Sequence, residues 1–182
     1  CRHVGENRVQ EAKEKQLTYR GDAKIVWHLI GHLQVNKVRQ AVPMFDLIHS
    51  VDSKKLLDEI EKVAAKHDKV QDILLQVNVA QEESKSGMTV EEFPEIRDYA
   101  KTLPHVRVKG LMCIAPYFEN PEQARPIFRI AHALFEDMKS HFEPGQIEFC
   151  AMGMTHDFEV ALEEGANVVR VCTALFGERV YY

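Results

Sequence analysis

Short apolar runs rich in β-branched residues alternate along this chain with amphipathic helical segments. That alternation points to a parallel sheet built from βαβ units, because parallel neighbours need a crossover helix between them. The predicted strands are 26–30, 45–51, 73–79, 106–114, 147–151 and 168–172, with a stub before Gly5 as a seventh. Asp52 or Ser53 is placed to cap a helix whose Leu56, Leu57, Ile60, Val63 and Ala64 share one stripe. Thr89 and Glu92 form a capping box, followed by Phe93, Ile96, Ala100 and Leu103 at helical spacing. Asn120 caps a third helix with Pro121 at its first position and Ile127, Ala131, Leu134, Phe135 and Met138 on its buried face. Pro126 falls in the first turns of that helix and is expected to bend it. A last short helix, from about Asp157 to Glu164, ends at Gly165, a residue suited to the left-handed C′ position.

With no linker, repeat or low-complexity tract, residues 1–182 read as a single domain. The expected architecture is a TIM-type (β/α) barrel of the α/β class, incomplete by one strand. A whole barrel needs about 200 residues or more, whereas this chain has 182 and begins with Cys. We therefore expect about 30–40 further residues upstream, enough for one βα unit. Without that unit the barrel cannot close, and the two outermost strands become edges through which chains could pair. The completed protein is expected to be a monomer.

Charge narrows the partners. The 28 acidic and 23 basic residues leave a net charge of −5 with no long basic run, which disfavours nucleic acid. No apolar stretch approaches a membrane span, and no signal peptide is visible. Cys1, Cys113, Cys150 and Cys172 are scattered and form no C-x-x-C pair, as expected of a reduced, cytoplasmic protein.

Two glycine- and hydroxyl-bearing segments near the C-terminus, 151–157 and 170–177, each follow an apolar run. In a (β/α) barrel the loops after the last two strands are where a phosphate commonly sits, held by backbone N–H groups and hydroxyls. Ala151, Gly153, Met154 and Thr155 from the first segment and Cys172 and Thr173 from the second are the candidate cup. Gly153 would let backbone approach an anion, and Thr155 could both cap the helix near Asp157 and donate to phosphate. Arg170 and Cys172 should share one face of the last strand, with Val169 and Val171 on the other. An arginine among β-branched residues must meet an acceptor or reach water, and a structural ion pair would serve as well as a ligand.

Other polar residues are weaker candidates. Asn7 follows the first visible strand, where an Asx turn is the plain alternative to ligand binding. His28 and His32 have the i, i+4 spacing of a zinc helix, but Gly31 and the apolar strand argue against a helix there, so no metal is expected. The other histidines, His156 included, show no ligand spacing and are expected at the surface or in caps. Lys37 and Lys85 follow strands and belong at the barrel mouth, where a lysine could attract an anion or take up a released aldehyde. Of the two, the loop from Ser84 to Gly87 is the better candidate.

The order of segments 5–11, 27–37, 84–88, 109–112 and the two C-terminal turns resembles that of the pyridoxal phosphate homeostasis proteins, small relatives of the alanine racemase barrel. The similarity runs from about residue 4 to the end. It implies a non-catalytic pyridoxal 5′-phosphate carrier, with Arg170 facing the pyridine nitrogen, Asn7 near the phenolic oxygen and the cup around the phosphate. It also implies that the lysine forming an imine with the cofactor lies on a strand upstream of Cys1, so that no catalytic or imine-forming residue is assigned within this chain. The pattern departs from the family where Ala151 and Thr155 stand for serines and Cys172 for a glycine. An alanine racemase or amino-acid decarboxylase barrel would use the same cofactor for bond breaking, but would need a further β-domain beyond Tyr182. A barrel for another phosphate metabolite is the third alternative.

Overall fold

A computed structural model of the chain describes residues 2–82 and 85–177, so Cys1 and Ser84 lie outside it. Seven parallel strands form one sheet in the order β1 to β7: His3–Glu6, Val26–Leu29, Leu47–Val51, Gln71–Val77, Val106–Cys113, Phe149–Met154 and Val168–Arg170. The sheet curls into a nearly closed barrel. As expected, β1 and β7 each pair on one side only among the described residues.

Seven helices accompany the strands: α1 Val9–Thr18, α2 Val38–Met44, α3 Lys54–Lys66, α4 Phe93–Ala100, α5 Arg125–Lys139, α6 Phe158–Glu163 and α7 Thr173–Phe176. Ser53 caps α3 by accepting from the Leu56 N–H at 3.4 Å, and Leu56, Leu57, Ile60, Val63 and Ala64 are its buried face, as the stripe predicts. Burying each of the larger members contributes about 1.5–3 kcal/mol relative to leaving it in water. The capping box forms as expected: Thr89 N–H donates to Glu92 at 2.9 Å, and Glu92 N–H donates to Thr89 Oγ1 at 3.1 Å. The Asn120 side chain also caps as predicted, but it opens a 3-10 turn, Pro121–Ala124, and α5 starts only at Arg125. Pro126 therefore sits in the opening turn of α5, where its missing N–H has no intrahelical acceptor to lose, and the expected bend within the helix is replaced by a change of helix type.

Alternation along the strands sorts the apolar residues into two layers. The larger lies between sheet and helices and includes Leu29, Ile48, Leu75, Leu111, Cys150 and Met152. The smaller fills the barrel interior with Leu47, Leu74, Met112 and Ala151, flanked by Ile114, Phe149 and Val168. Gly110, at φ +154°, permits β5 and β6 to pair, since a Cβ there would stand 1.9 Å from the Phe149 carbonyl oxygen. All strands run the same way, so their C-terminal ends open onto one mouth.

Candidate functional site

Above the interior apolar layer the lumen turns polar. On β7, Val168 lies against the interior cluster and Val169 against the outer core, which returns Arg170 to the lumen, 8% exposed. Its Nη2 donates to the Cys113 carbonyl at 3.0 Å. Its Nη1 is buried with no hydrogen-bond partner among the described residues. Burial pulls the Arg170 pKa down, against the pull of Cys113 and Asp157, but a guanidinium starts so high that it stays charged near neutrality. Among the described residues no carboxylate forms an ion pair with it, and the Cys113 carbonyl is the acceptor that holds its other nitrogen. A buried donor with no acceptor costs about 1–3 kcal/mol, and a ligand with a lone pair at that point would recover it.

The cup differs from its prediction in three respects. Strand β6 runs on to Met154, so Ala151, Gly153 and Met154 belong to a strand rather than a turn. Ala151 is fully buried in the interior apolar layer, whereas Met154 is 41% exposed. Gly153 serves helix packing: its φ is +93°, and a Cβ there would lie 2.6 Å from the Ala161 Cβ and 3.0 Å from the Phe158 Cα of α6. The third difference is Thr155, which does not cap α6. Its Oγ1 accepts from the Cys172 N–H at 3.2 Å and so ties the two C-terminal loops together. Asp157 holds the N-cap position of α6, and its carboxylate accepts from the Met154 N–H at 2.7 Å. The donors left for an anion are thus the hydroxyls of Thr155 and Thr173 and the loop amides, with Thr173 exposed at the start of α7.

Strand alternation fails for Cys172 because β7 ends at Arg170; Cys172 is exposed and occupies the N-cap of α7. Its φ of −112° is open to any side chain, so the backbone does not require a glycine there. Cys113 and Cys150 are free and buried, and burial pushes both thiols up to about 12. They are inert at neutral pH.

Across the mouth, Asn7 and Lys37 line one cavity of about 320 Å³ together with Arg8, His32, Gln34 and Gln40. Gly31 makes this possible, since a Cβ there would come within 2.2 Å of the Asn7 carbonyl oxygen. Ser86 Oγ lies 3.2 Å from His32 Nδ1, so the loop that carries Lys85 reaches the same rim. A larger groove of about 610 Å³ opens at the opposite end of the strands, lined by Lys101, Arg107, His141 and Phe142 among others, and contains none of these residues.

The histidines overturn part of the sequence reading. His28 lies on its apolar strand as read, 6% exposed, but His49, one of the histidines expected at the surface or in caps, is 1% exposed inside the barrel. His28 Nε2 lies 2.9 Å from His3 Nδ1, and His28 Nδ1 lies 2.8 Å from His49 Nε2. His32, by contrast, is exposed beyond the strand, so the i, i+4 pair is split. Among the described residues no group of three or more His, Cys, Asp or Glu side chains is placed to hold a metal. His156 is at the surface as expected, stacked on Tyr117. The sequence reading grouped His49 with the surface histidines, although a histidine inside the apolar run 45–51 was a usable signal.

The profile of the alanine racemase N-terminal domain matches residues 1–180. The chain belongs to this family. It is 49% identical over 177 residues to the pyridoxal phosphate homeostasis protein of Aquifex aeolicus, an overlap that covers 97% of this chain and 77% of that one. Among solved structures it is similar to PipY of Synechococcus elongatus PCC7942 without pyridoxal phosphate, with a TM-score of 0.90 and 35% identity over 97% of this chain and 82% of PipY. PipY solved with pyridoxal phosphate bound matches with a TM-score of 0.83 over the same shares of both chains. Among the described residues of this family member, no helix is long and apolar enough to cross a membrane.

Proposed function

We propose that the chain binds pyridoxal 5′-phosphate at the mouth of the barrel and serves vitamin B6 homeostasis as a carrier rather than as an enzyme. The observation that carries this is the buried Arg170 Nη1, a charged donor in the lumen with no acceptor among the described residues. The pyridine nitrogen, with an in-plane lone pair, fits it. Thr155, Thr173 and the amides of their loops would hold the phosphate, charge-assisted bonds of about 1.5–3 kcal/mol each. Ala151, Gly153 and Met154 of β6 would back that cup, and Asn7 would approach the phenolic oxygen. Lys37 and Lys85, exposed on the rim, would draw the anion in.

The relative named as a pyridoxal phosphate homeostasis protein and the PipY structure with that ligand support the reading. So does the choice of arginine. Bound here, the cofactor supplies an aldehyde and a ring able to accept electrons, but a guanidinium keeps its proton and leaves the ring nitrogen unprotonated, which weakens the ring as an electron sink. Holding the cofactor while blunting its reactivity suits a carrier. A cytoplasmic setting fits the free thiols of Cys113, Cys150 and Cys172.

The test is to titrate the protein with pyridoxal phosphate, following the ligand's absorbance, and to assay the loaded protein for alanine racemisation and amino-acid decarboxylation. Saturable one-to-one binding without turnover is expected. Sustained turnover would overturn the carrier assignment, and failure to bind would overturn the ligand.

A further inference from the structure

We propose that His49 is a further ligand-binding residue of the lumen, donating its Nδ1–H to the phenolic oxygen of a pyridoxal phosphate held against Arg170. This rests on the pyridoxal phosphate reading and adds a contact to it. Val168 on β7 and Leu47 on β3 both lie at the interior apolar layer. Arg170 and His49 each follow two residues later on parallel strands, so both stand one layer nearer the mouth. His49 is 1% exposed and its Nε2 lies 2.8 Å from His28 Nδ1, but its own Nδ1 is buried with no partner among the described residues. Arg170 Nη1 is buried and unpaired in the same way.

Strand β3 is irregular at this point. Ile48 is opposite Ile73 and Val51 opposite Leu75 on β4, with all four in the outer core, so His49 and Ser50 stand where regular pairing has room for one residue. A bulge of this kind raises the local twist and re-aims a side chain, and is frequent beside binding sites. The irregularity has a cost at Ser50, whose hydroxyl is buried with no partner among the described residues. A histidine present only to brace β3 against β2 would need one ring nitrogen, the Nε2 that meets His28. The second nitrogen of such a residue would be better replaced by carbon in a dry interior, since buried polar atoms are otherwise hydrogen-bonded.

The shape of the ligand assigns the atom. In pyridoxal phosphate the phosphate arm and the phenolic oxygen lie on opposite flanks of the axis through the ring nitrogen. With the phosphate on the loops after β6 and β7 and the nitrogen at Arg170, the phenolic oxygen faces the far wall of the lumen. Strand β3, four places from β7 in the sheet order, belongs to that wall. Burial, then His28 and Arg170, holds the His49 pKa well below its ordinary value, and burial first lowers His28 to about 4, so both rings are neutral near neutrality. A neutral imidazole has one N–H and one lone pair. When His49 Nε2 accepts from His28 Nδ1, the His49 proton is on Nδ1 and points into the lumen. The phenolic oxygen has more than one lone pair, so this bond adds to the one assigned to Asn7.

The experiment measures, by equilibrium dialysis of the full chain, the affinity for pyridoxal phosphate and for its analogue without the phenolic oxygen, 3-deoxypyridoxal phosphate. His49→Asn keeps a side-chain N–H where Nδ1 stands and gives up the link to His28, whereas His49→Gln reaches toward His28 and gives up the lumen contact. His49→Gln should bind pyridoxal phosphate about tenfold more weakly, the worth of one buried hydrogen bond, while its affinity for the deoxy analogue stays within about twofold. His49→Asn should hold pyridoxal phosphate to within about threefold of the unsubstituted protein. A residue that only braces β2 predicts the reverse order of the two variants and equal losses for both ligands; either result, or unchanged pyridoxal phosphate binding by His49→Gln, overturns the inference alone. If the variants fail to fold, the unsubstituted protein labelled with 15N in its histidine rings decides. The His49 Nδ1 resonance should shift with pyridoxal phosphate and stay in place with the deoxy analogue, and a resonance that moves with neither overturns the contact. Failure of the unsubstituted protein to bind either ligand overturns the pyridoxal phosphate reading and this inference with it.

Discussion

Arg170 reaches past β6 to the carbonyl of Cys113 on β5, 3.0 Å away, and that single bond aims its second nitrogen into the lumen. One half of the guanidinium is spent on holding its own direction and the other half is left for a ligand. Replacing it with the unbranched, uncharged Met should keep the packing and remove both bonds. We expect Arg170→Met to weaken pyridoxal phosphate binding about tenfold to a hundredfold, the worth of one charge-assisted hydrogen bond. Titration of the variant, with a thermal melt as the check on folding, measures this; unchanged affinity would leave Arg170 only a structural role.

Thr155→Val keeps the shape of the side chain and deletes the acceptor of the Cys172 N–H. Both affinity and stability should fall: binding about tenfold, through the lost hydroxyl at the phosphate, and stability by about 1 kcal/mol, through the freed amide. Phosphate-competition binding and urea unfolding separate the two effects. A variant that loses neither would show that the bond joining the loops is incidental.

Gly153→Ala asks whether that glycine serves an anion or a helix. Its positive φ and the 2.6 Å approach to the Ala161 Cβ argue for the helix, so the substitution should cost about 1–3 kcal/mol of stability. Chemical denaturation reads this directly. If stability is untouched and only ligand affinity falls, the glycine is there for the ligand after all.

Acid should destabilise the protein over a defined window. His28 has an unfolded value of 6.5 and a folded value of about 4, so the unfolded chain binds the extra proton first as pH falls. Its contribution to stability is fully present above about 6.5 and is lost as pH drops toward 4, a change of about 3 kcal/mol for this ring. His49, shifted in the same direction, steepens the slope. Unfolding free energies measured between pH 7.5 and 4.5 should show the decline, and His28→Gln should flatten it; a flat profile in the unsubstituted protein would mean the rings are not buried neutral.

Much of the architecture was legible because it depends on local pattern. Alternating apolar runs marked every strand, and the caps at Ser53, Thr89 and Asn120 were readable because a hydroxyl or amide reaches only its own first turn. Three helices escaped notice for the same reason in reverse: α1 buries only Ala12 and so carries no stripe, α2 is short with Pro43 inside it, and α7 is four residues long with none of them buried. The register shift between Ala151 and Met154, with Gly153 at φ +93°, carried β6 past the point where composition suggested a turn.

By itself the sequence determined the layers of the fold, the family and the position of Arg170 on the last strand, since periodicity and motif order are properties of neighbouring residues. Only the tertiary structure decided what Arg170 lacks, which loop Thr155 holds, and that His3, His28 and His49 meet in one line. Those relations join residues between 17 and 57 positions apart. Strand alternation directs such side chains to one lumen, but which of them touch depends on the register and curvature of seven strands at once, and no local spacing encodes that.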